Sequence, residues 1–459
     1  MATLLRDRAV SPVDLVEAHL RQIERLDPKL NAFVIIRAEQ AREEARLAEG
    51  AIQRGERLGP LHGVPVTVKD SFDLADYPTL CGSKFRIGHR AAQDATAVAR
   101  LRAAGAIVLG KTNCPEFLWN YETDNYTTGR TNNPWDLERT SGGSSGGESA
   151  AIAAFCSAGG IGSDGGGSIR IPAHFCGIAG LKPTPGRVSA AGHFPVIAHP
   201  GGLLGVAGPM ARTAQDVRLL FSVLAGYDSQ DPFSAPVPLR APIVDGLRVG
   251  LMEQFYDVPV QPILRDAVRR AGAALEGMKI PVEPFRPSGL ERAPNLWWFF
   301  FGRLPAEVIQ KTIAGREHEA HWTSTEFLKA ALKEAEPTAL QVVANLAARD
   351  YMRAALLRQM EEFPVLLLPA CGVAAWRHRE RRWQTGQKSI GVFEAMMPET
   401  PFNLLGLPAM VIPYGRDEDG MPVGIQLVGR PYDEELILDV AVRLEQARGV
   451  FPAPAMAAG

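Results

Sequence analysis

Two glycine-rich segments, each presenting serine hydroxyls, come after a lysine at the end of an apolar stretch. They read Thr140-Ser141-Gly142-Gly143-Ser144-Ser145-Gly146-Gly147 and Asp164-Gly165-Gly166-Gly167-Ser168-Ile169-Arg170, and the stretch is Val64-Pro65-Val66-Thr67-Val68-Lys69. Glycine serves where the backbone turns with positive φ or must come close to a ligand. A serine hydroxyl becomes a nucleophile when a base takes its proton, and a lysine can be that base once desolvation keeps it neutral. Buried lysines fall to pKa values of about 5 to 6, so a lysine set in an apolar strand could be neutral at pH 7. A second serine could relay the proton. Lys69, Ser144 and Ser168 are therefore a candidate apparatus for acyl transfer.

Two narrower motifs overlap these segments and fit less well. Gly142-Gly143-Ser144-Ser145-Gly146 satisfies the GxSxG nucleophile elbow, but residues 134–141 do not form the apolar strand that should precede an elbow. A triad built on it would need a downstream histidine, for which His193 and His199 are available. Gly160-Ile161-Gly162-Ser163-Asp164-Gly165 satisfies GxGxxG, yet Pro172 and Pro183 interrupt the next segment, and no acidic residue lies at positions 181–190, where a dinucleotide fingerprint places one.

Taken in order, three blocks closely resemble the amidase signature family. They are Gly63-Val64-Pro65-Val66-Thr67-Val68-Lys69-Asp70, the GGSSGG run with Ser144, and DGGGSIR with Ser168, continued by Pro172-Ala173-His174-Phe175-Cys176-Gly177-Ile178-Ala179-Gly180-Leu181-Lys182-Pro183-Thr184. The similarity runs from the amino-terminal helix to the carboxy-terminal strands and is densest between residues 60 and 215. In motif it is closest to fatty acid amide hydrolases and stand-alone bacterial amidases, through the blocks at Gly110–Glu116 and Gly129–Pro134.

The resemblance implies an α/β fold with a large mixed, twisted sheet and helices on both faces. It also implies a single amidase domain over residues 1–459, with a catalytic core near 60–215 and a variable, substrate-shaping insertion near 227–400. By the same analogy Ser168 is the nucleophile, Ser144 the bridging serine preceded by a cis peptide, and Lys69 the general base and later proton donor. The N–H groups of Gly165, Gly166, Gly167 and Ser168 would form the oxyanion hole, with Gly165 standing where many relatives have Thr or Ile. Ser145, Asp164 and Arg170 would support the loop, and Leu118, Trp119 and Tyr121 would contact substrate. The implied reaction is hydrolysis of the C–N bond of apolar or aryl amides through an acyl-enzyme, with esters and carbamates open to the same chemistry. No cofactor and no metal is implied.

Two alternatives belong beside this reading. A glutamyl-tRNA amidotransferase A-type subunit would usually carry Gln after the SIR triplet and an SSLDQIGP-like block, where this chain has Ile171 and Gly201-Gly202-Leu203-Leu204-Gly205-Val206-Ala207-Gly208-Pro209. A non-catalytic binding protein could retain the fold, against which the intact Lys69, Ser144 and Ser168 argue.

The elements that must position these groups can be read from pattern. Ser11 caps a helix with Pro12 at its first position and an apolar stripe of Val16, Leu20 and Ile23. Phe33 to Ile36 reads as a short buried strand, and a charged helix comes next over 38–54. The strand ending at Lys69, a helix over 94–104 and the strand Ala106-Ile107-Val108-Leu109 form a β-α-β unit, which predicts parallel pairing. Further strands are predicted at 365–368, 409–412 and 424–428, and a last helix over 433–446.

Composition agrees with a soluble globular enzyme: 459 residues, 46% hydrophobic, 22% charged and a net charge of -2 with both signs scattered. That balance points away from nucleic acid and acidic membranes and toward a small neutral or apolar partner. The amino terminus lacks an apolar leader and no long apolar run occurs beyond it, so a cytoplasmic monomer or homodimer without a membrane anchor is expected. Five cysteines without CxxC spacing argue against disulfides or zinc. His318-Glu319-Ala320-His321 falls one residue short of HExxH and is expected on an exposed helical face. The run Trp297-Trp298-Phe299-Phe300-Phe301 is expected mainly in the core, with a pocket-lining role open.

Overall fold

The computed structural model describes residues 1–197 and 204–457. Its strands are β1 Phe33–Ile36, β2 Pro65–Lys69, β3 Ile107–Thr112, β4 Gly159–Asp164, β5 Ala179–Lys182, β6 Val206–Ala211, β7 Val249–Leu251, β8 Val282–Pro284, β9 Val365–Pro369, β10 Arg382–Thr385, β11 Lys388–Gly391, β12 Ala409–Arg416 and β13 Pro422–Gly429. Eleven of them hydrogen-bond in the order β1-β3-β2-β4-β6-β5-β12-β13-β9-β7-β8, while β10 and β11 form a separate antiparallel pair. β2 runs parallel to β3 and β4, as the β-α-β pattern predicts. β4, β5, β6, β12 and β13 pair antiparallel, so the sheet is mixed. The stretch near 227–400 contributes β7, β8 and β9 to this same sheet.

Helices cover both faces, which explains why the central strands read as unbroken apolar runs. In β9, Val365 and Leu367 join one core with the helices Thr96–Ala103, Ala214–Leu224, Pro262–Gly277 and Glu434–Arg448, whereas Leu366 and Leu368 join another on the opposite face. The two-residue period of a strand makes that division automatic. The first long helix, Pro12–Leu30, starts as predicted: Ser11 Oγ accepts the N–H of Val13 at 3.0 Å and Val16, Leu20 and Ile23 are buried. It packs with Ala38–Gln53 over Ile107 and Leu109 of β3.

One expectation is corrected. Only Phe33 of β1 is buried, and Ile36 is 46% exposed, because β1 is the outermost strand of the sheet and, among the described residues, no strand pairs with its other side.

Candidate active site

Strand parity places Lys69. Val66 and Val68 point into the core beneath one face, so Thr67 and Lys69 point to the other, where the helix Gly146–Ala153 and the serines before it lie. The pairing of β2 with β3 slips by one residue, from Val66↔Val108 to Thr67↔Gly110. That bulge switches the parity of β3, so that Thr112 reaches the same side as Thr67 and both donate to the Glu148 carboxylate, at 2.6 and 2.5 Å.

Lys69 Nζ lies 2.7 Å from Ser144 Oγ, 2.9 Å from Ser145 Oγ and 3.1 Å from Ser163 Oγ, with no solvent exposure. The peptide between Gly143 and Ser144 is cis. Ser145, read from sequence as a supporting residue, touches the amine directly; Ser163, on β4, is a contact that sequence reasoning missed. Strand parity would set it with Ile161 on the face away from Lys69, so no local pattern in the sequence marks it.

Burial lowers Lys69 from 10.5 to about 8, against the opposing pull of Cys114, Cys81, Asp164 and Glu148. The shift is smaller than the sequence reading envisaged. At pH 7 about one-tenth of the amine is neutral, by the tenfold change per pH unit. Burial likewise pushes the Glu148 carboxyl up to about 7.

The Asp164–Arg170 loop is held by its own ends. Arg170, wholly buried, donates from Nε and Nη2 to the two oxygens of Asp164, each at 3.0 Å, and from Nη1 to Gln426 Oε1 at 2.6 Å. It also contacts the carboxylate of Glu399 and the amide oxygen of Asn403. Burial alone would raise the Asp164 carboxyl, but the guanidinium overrides it and holds the group well below the usual carboxylate range. Burial pushes the Glu399 carboxyl above its ordinary value against the pull of Arg170, whereas Asp164 stays charged. Replacing Arg170 with Met leaves that charge without its counterion. Chemical denaturation is expected to show a loss of about 3 to 5 kcal/mol.

Asp164 also accepts the N–H of Gly167 at 2.7 Å and of Ile169 at 3.0 Å. This corrects the expected oxyanion hole: the Gly167 amide is already engaged. Gly167 has φ +114°, a region that favours glycine. Among the described residues, no acceptor takes the N–H of Gly165, Gly166 or Ser168.

Ser168, Gly166 and the predicted contacts Leu118, Trp119 and Tyr121 all line one cavity of about 270 Å³. The remaining walls come mostly from the 293–331 helices and include Trp297, Phe301 and Phe327. Trp119 stacks on Phe327 with ring centroids 4.6 Å apart, and Trp297 stacks on Phe301 at 4.7 Å. The aromatic run thus divides: Phe300 is core, Trp297 is both core and wall, and Phe301 and Trp298 face the cavity. A π-helical turn over Phe299–Arg303 continues the helix Ala293–Trp298 at this wall. The cavity's charged lining residues, Arg381 and Glu326, approach each other to 3.6 Å, and Arg381 also reaches Glu122 at 3.3 Å.

Other motifs resolve locally. The GxGxxG residues run along β4 rather than round a strand-to-helix turn. His193 is buried edge-on against Phe72, with Nδ1 2.8 Å from the carbonyl of Pro195. His199 and Gly201 to Leu203 lie outside the described residues. His318 is exposed on a single 3₁₀ turn, Glu317–Glu319, whereas His321, expected on the same exposed face, is buried as the cap of Trp322–Ala331. Cys176 is buried with Sγ against the carbonyl of Ser141, as a packed small residue. No helix among the described residues is long and apolar enough to cross a membrane.

A large mixed sheet whose strand end carries a buried lysine among serine hydroxyls, with Ser168 lining an apolar cavity, accompanies a family match that makes this an amide-hydrolysing enzyme. The chain belongs to the amidase signature family, and the Amidase family model matches residues 14–438. It is 36% identical over 480 residues to the A subunit of the glutamyl-tRNA(Gln) amidotransferase from Anaeromyxobacter sp. (strain K), covering 97% of this chain and 95% of that one. Among solved structures it resembles a bacterial aryl acylamidase of the amidase signature family (TM-score 0.89, 28% identity, 100% and 97% coverage). It also resembles a 6-aminohexanoate cyclic dimer hydrolase bound to its substrate (TM-score 0.86, 31% identity, 99% and 98% coverage).

Proposed function

We propose that this protein is a stand-alone serine amidase that hydrolyses apolar, preferentially aryl, amides through an acyl-enzyme on Ser168. The observation that carries the proposal is the joining of two features: Ser168 lines the aromatic cavity and its carbonyl accepts the N–H of Ser145 at 3.1 Å, and the neighbouring Ser144 lies 2.7 Å from Lys69. A neutral lysine amine has two N–H donors and one lone pair. Lys69 Nζ donates to the hydroxyls of Ser144, Ser145 and Ser163; in the neutral form that the proposed reaction uses, Ser145 and Ser163 keep two of those hydrogen bonds and Ser144 turns to donate to the lone pair.

In the proposed reaction Ser168 Oγ bonds to the carbonyl carbon, and its proton moves through Ser144 to Lys69. The negative oxygen meets the free amides of Gly165, Gly166 and Ser168, where one such donor is worth about 3 to 4 kcal/mol. The C–N bond breaks as the proton returns from Lys69 through Ser144 to the departing nitrogen. Water then attacks the ester, gives its proton to the same relay, and Ser168 leaves with that proton. Esters and carbamates present the same carbonyl to the same groups.

The identity to amidotransferase A subunits favours a second reading, glutamine hydrolysis within a larger complex. The cavity argues for the first. Its walls are aromatic, and its charged residues are paired with one another rather than set out for a free amino acid. Acyl p-nitroanilides, p-nitrophenyl esters, aryl carbamates and glutamine distinguish the two. The expected result is fast hydrolysis of aryl substrates, with kcat/KM rising about tenfold per pH unit below pH 8 and levelling above it, as Lys69 loses its proton. Hydrolysis of glutamine alone, or a rate that falls through this range, would overturn it.

A further inference from the structure

The loop carrying Ser168 presents three successive carbonyls, and each is taken by a side chain from a different part of the chain. Asn403 Nδ2 donates to the carbonyl of Asp164 at 3.1 Å, Trp297 Nε1 to that of Gly165 at 2.8 Å, and the Tyr121 hydroxyl to that of Gly166 at 2.8 Å. In a trans peptide the C=O and N–H point in opposite directions. Fixing the Gly165 carbonyl therefore fixes the Gly166 N–H, one of the loop amides without an acceptor. The next peptide is clamped at both ends, by Tyr121 at its oxygen and by Asp164 at the Gly167 N–H.

From this geometry we infer that Trp297 is a positioning residue for the oxyanion hole, its indole N–H aiming the Gly166 amide at the carbonyl oxygen of the substrate. The inference rests on the proposed acyl-enzyme chemistry at Ser168. Trp297 is suited to the task because it cannot drift: it is 3% exposed, stacked on Phe301 with an interplanar angle of 16°, and so close to Gly166 that a Cβ there would fall 2.3 Å from its Cζ2. Phe301 completes the fit, filling the space where a side chain on residue 165 would stand, 2.7 Å from that position. One wall of the substrate cavity thus also holds the catalytic loop.

Trp297→Phe keeps an aromatic ring and deletes the N–H. With an acyl p-nitroanilide, kcat is expected to fall about tenfold to a hundredfold while KM changes less than about threefold, since a donor displaced by an ångström acts on the transition state rather than on substrate binding. An arylboronic acid, which forms a tetrahedral adduct on an activated serine, should lose affinity in step with kcat. A kcat within twofold of wild type, or a loss confined to KM, overturns the assignment. Should Trp297→Phe fail to unfold cooperatively, 3-benzothienylalanine at position 297, with sulfur in place of N–H in the same bicyclic frame, carries the same expectations. Wild-type protein that takes no fluorophosphonate label at Ser168 removes the acyl-enzyme reading and this one together. Labelled, active wild type beside an unimpaired variant removes this one alone.

Discussion

Replacing Ser168 with alanine is expected to lower turnover of an aryl amide by about 10⁴-fold or more, the scale on which loss of a serine nucleophile acts. The reason is chemical, not structural. Ser168 is 6% exposed, and among the described residues no side-chain hydrogen bond of its hydroxyl holds the fold; its carbonyl, which the substitution keeps, accepts the N–H of Ser145 at 3.1 Å. Thermal stability should stay within about 1 kcal/mol of wild type. A fluorophosphonate should add its mass to the wild-type protein at Ser168 and leave the variant unlabelled. Residual activity within a hundredfold of wild type would assign the nucleophile elsewhere.

Lys69→Ala is expected to lower kcat by about 10² to 10⁴-fold, the usual contribution of a positioned general base. Its pH signature separates this from a damaged fold. In the wild type the folded lysine binds its proton less tightly than the unfolded one, about 8 against 10.5. Between those values the unfolded state holds more protons, so the lysine makes stability rise with pH. The variant should lose that rise and also lose the activity limb below pH 8. Near-wild-type turnover, or an unchanged limb, would remove Lys69 from the role of base. The same linkage means that deleting the amine relieves a burial penalty at pH 7 while leaving a cavity and taking one partner from each of three hydroxyls. Activity is thus expected to fall far more steeply than stability.

How much of the structure is legible in the sequence depends on how far apart the partners of an interaction lie along the chain. Lys69, Ser144 and Ser168 were legible because glycine-rich serine segments and a lysine closing an apolar strand are unusual in themselves. Their order supplied the family resemblance. The helix at Pro12–Leu30 was equally legible, since its cap and its stripe are encoded within a few residues. The apolar runs at 365–368 and 409–412 announced strands, and the residues of the first do divide between two cores.

The features that tertiary structure alone decided depend on contacts between distant segments or on shifts of a single residue. The edge position of β1 and the β2–β3 bulge that brings Thr112 beside Thr67 are of this kind, because strand order and register are set by neighbours and not by local pattern. Arg170 was visible as a charge beside the loop, but Gln426, Asn403 and Glu399, which surround it, lie more than 200 residues away and carry no local signal. The Gly167 amide looked free in sequence and is taken by Asp164, since only the folded loop fixes where each peptide points. Trp297 could be read only as part of an aromatic run; its contact with the Gly165 carbonyl arises because the 293–298 helix closes over a loop 132 residues earlier. Sequence by itself determined which groups could perform the chemistry, because residue type and local spacing set reactivity. Tertiary structure decided which of them meet, because direction and distance are properties of the packed chain.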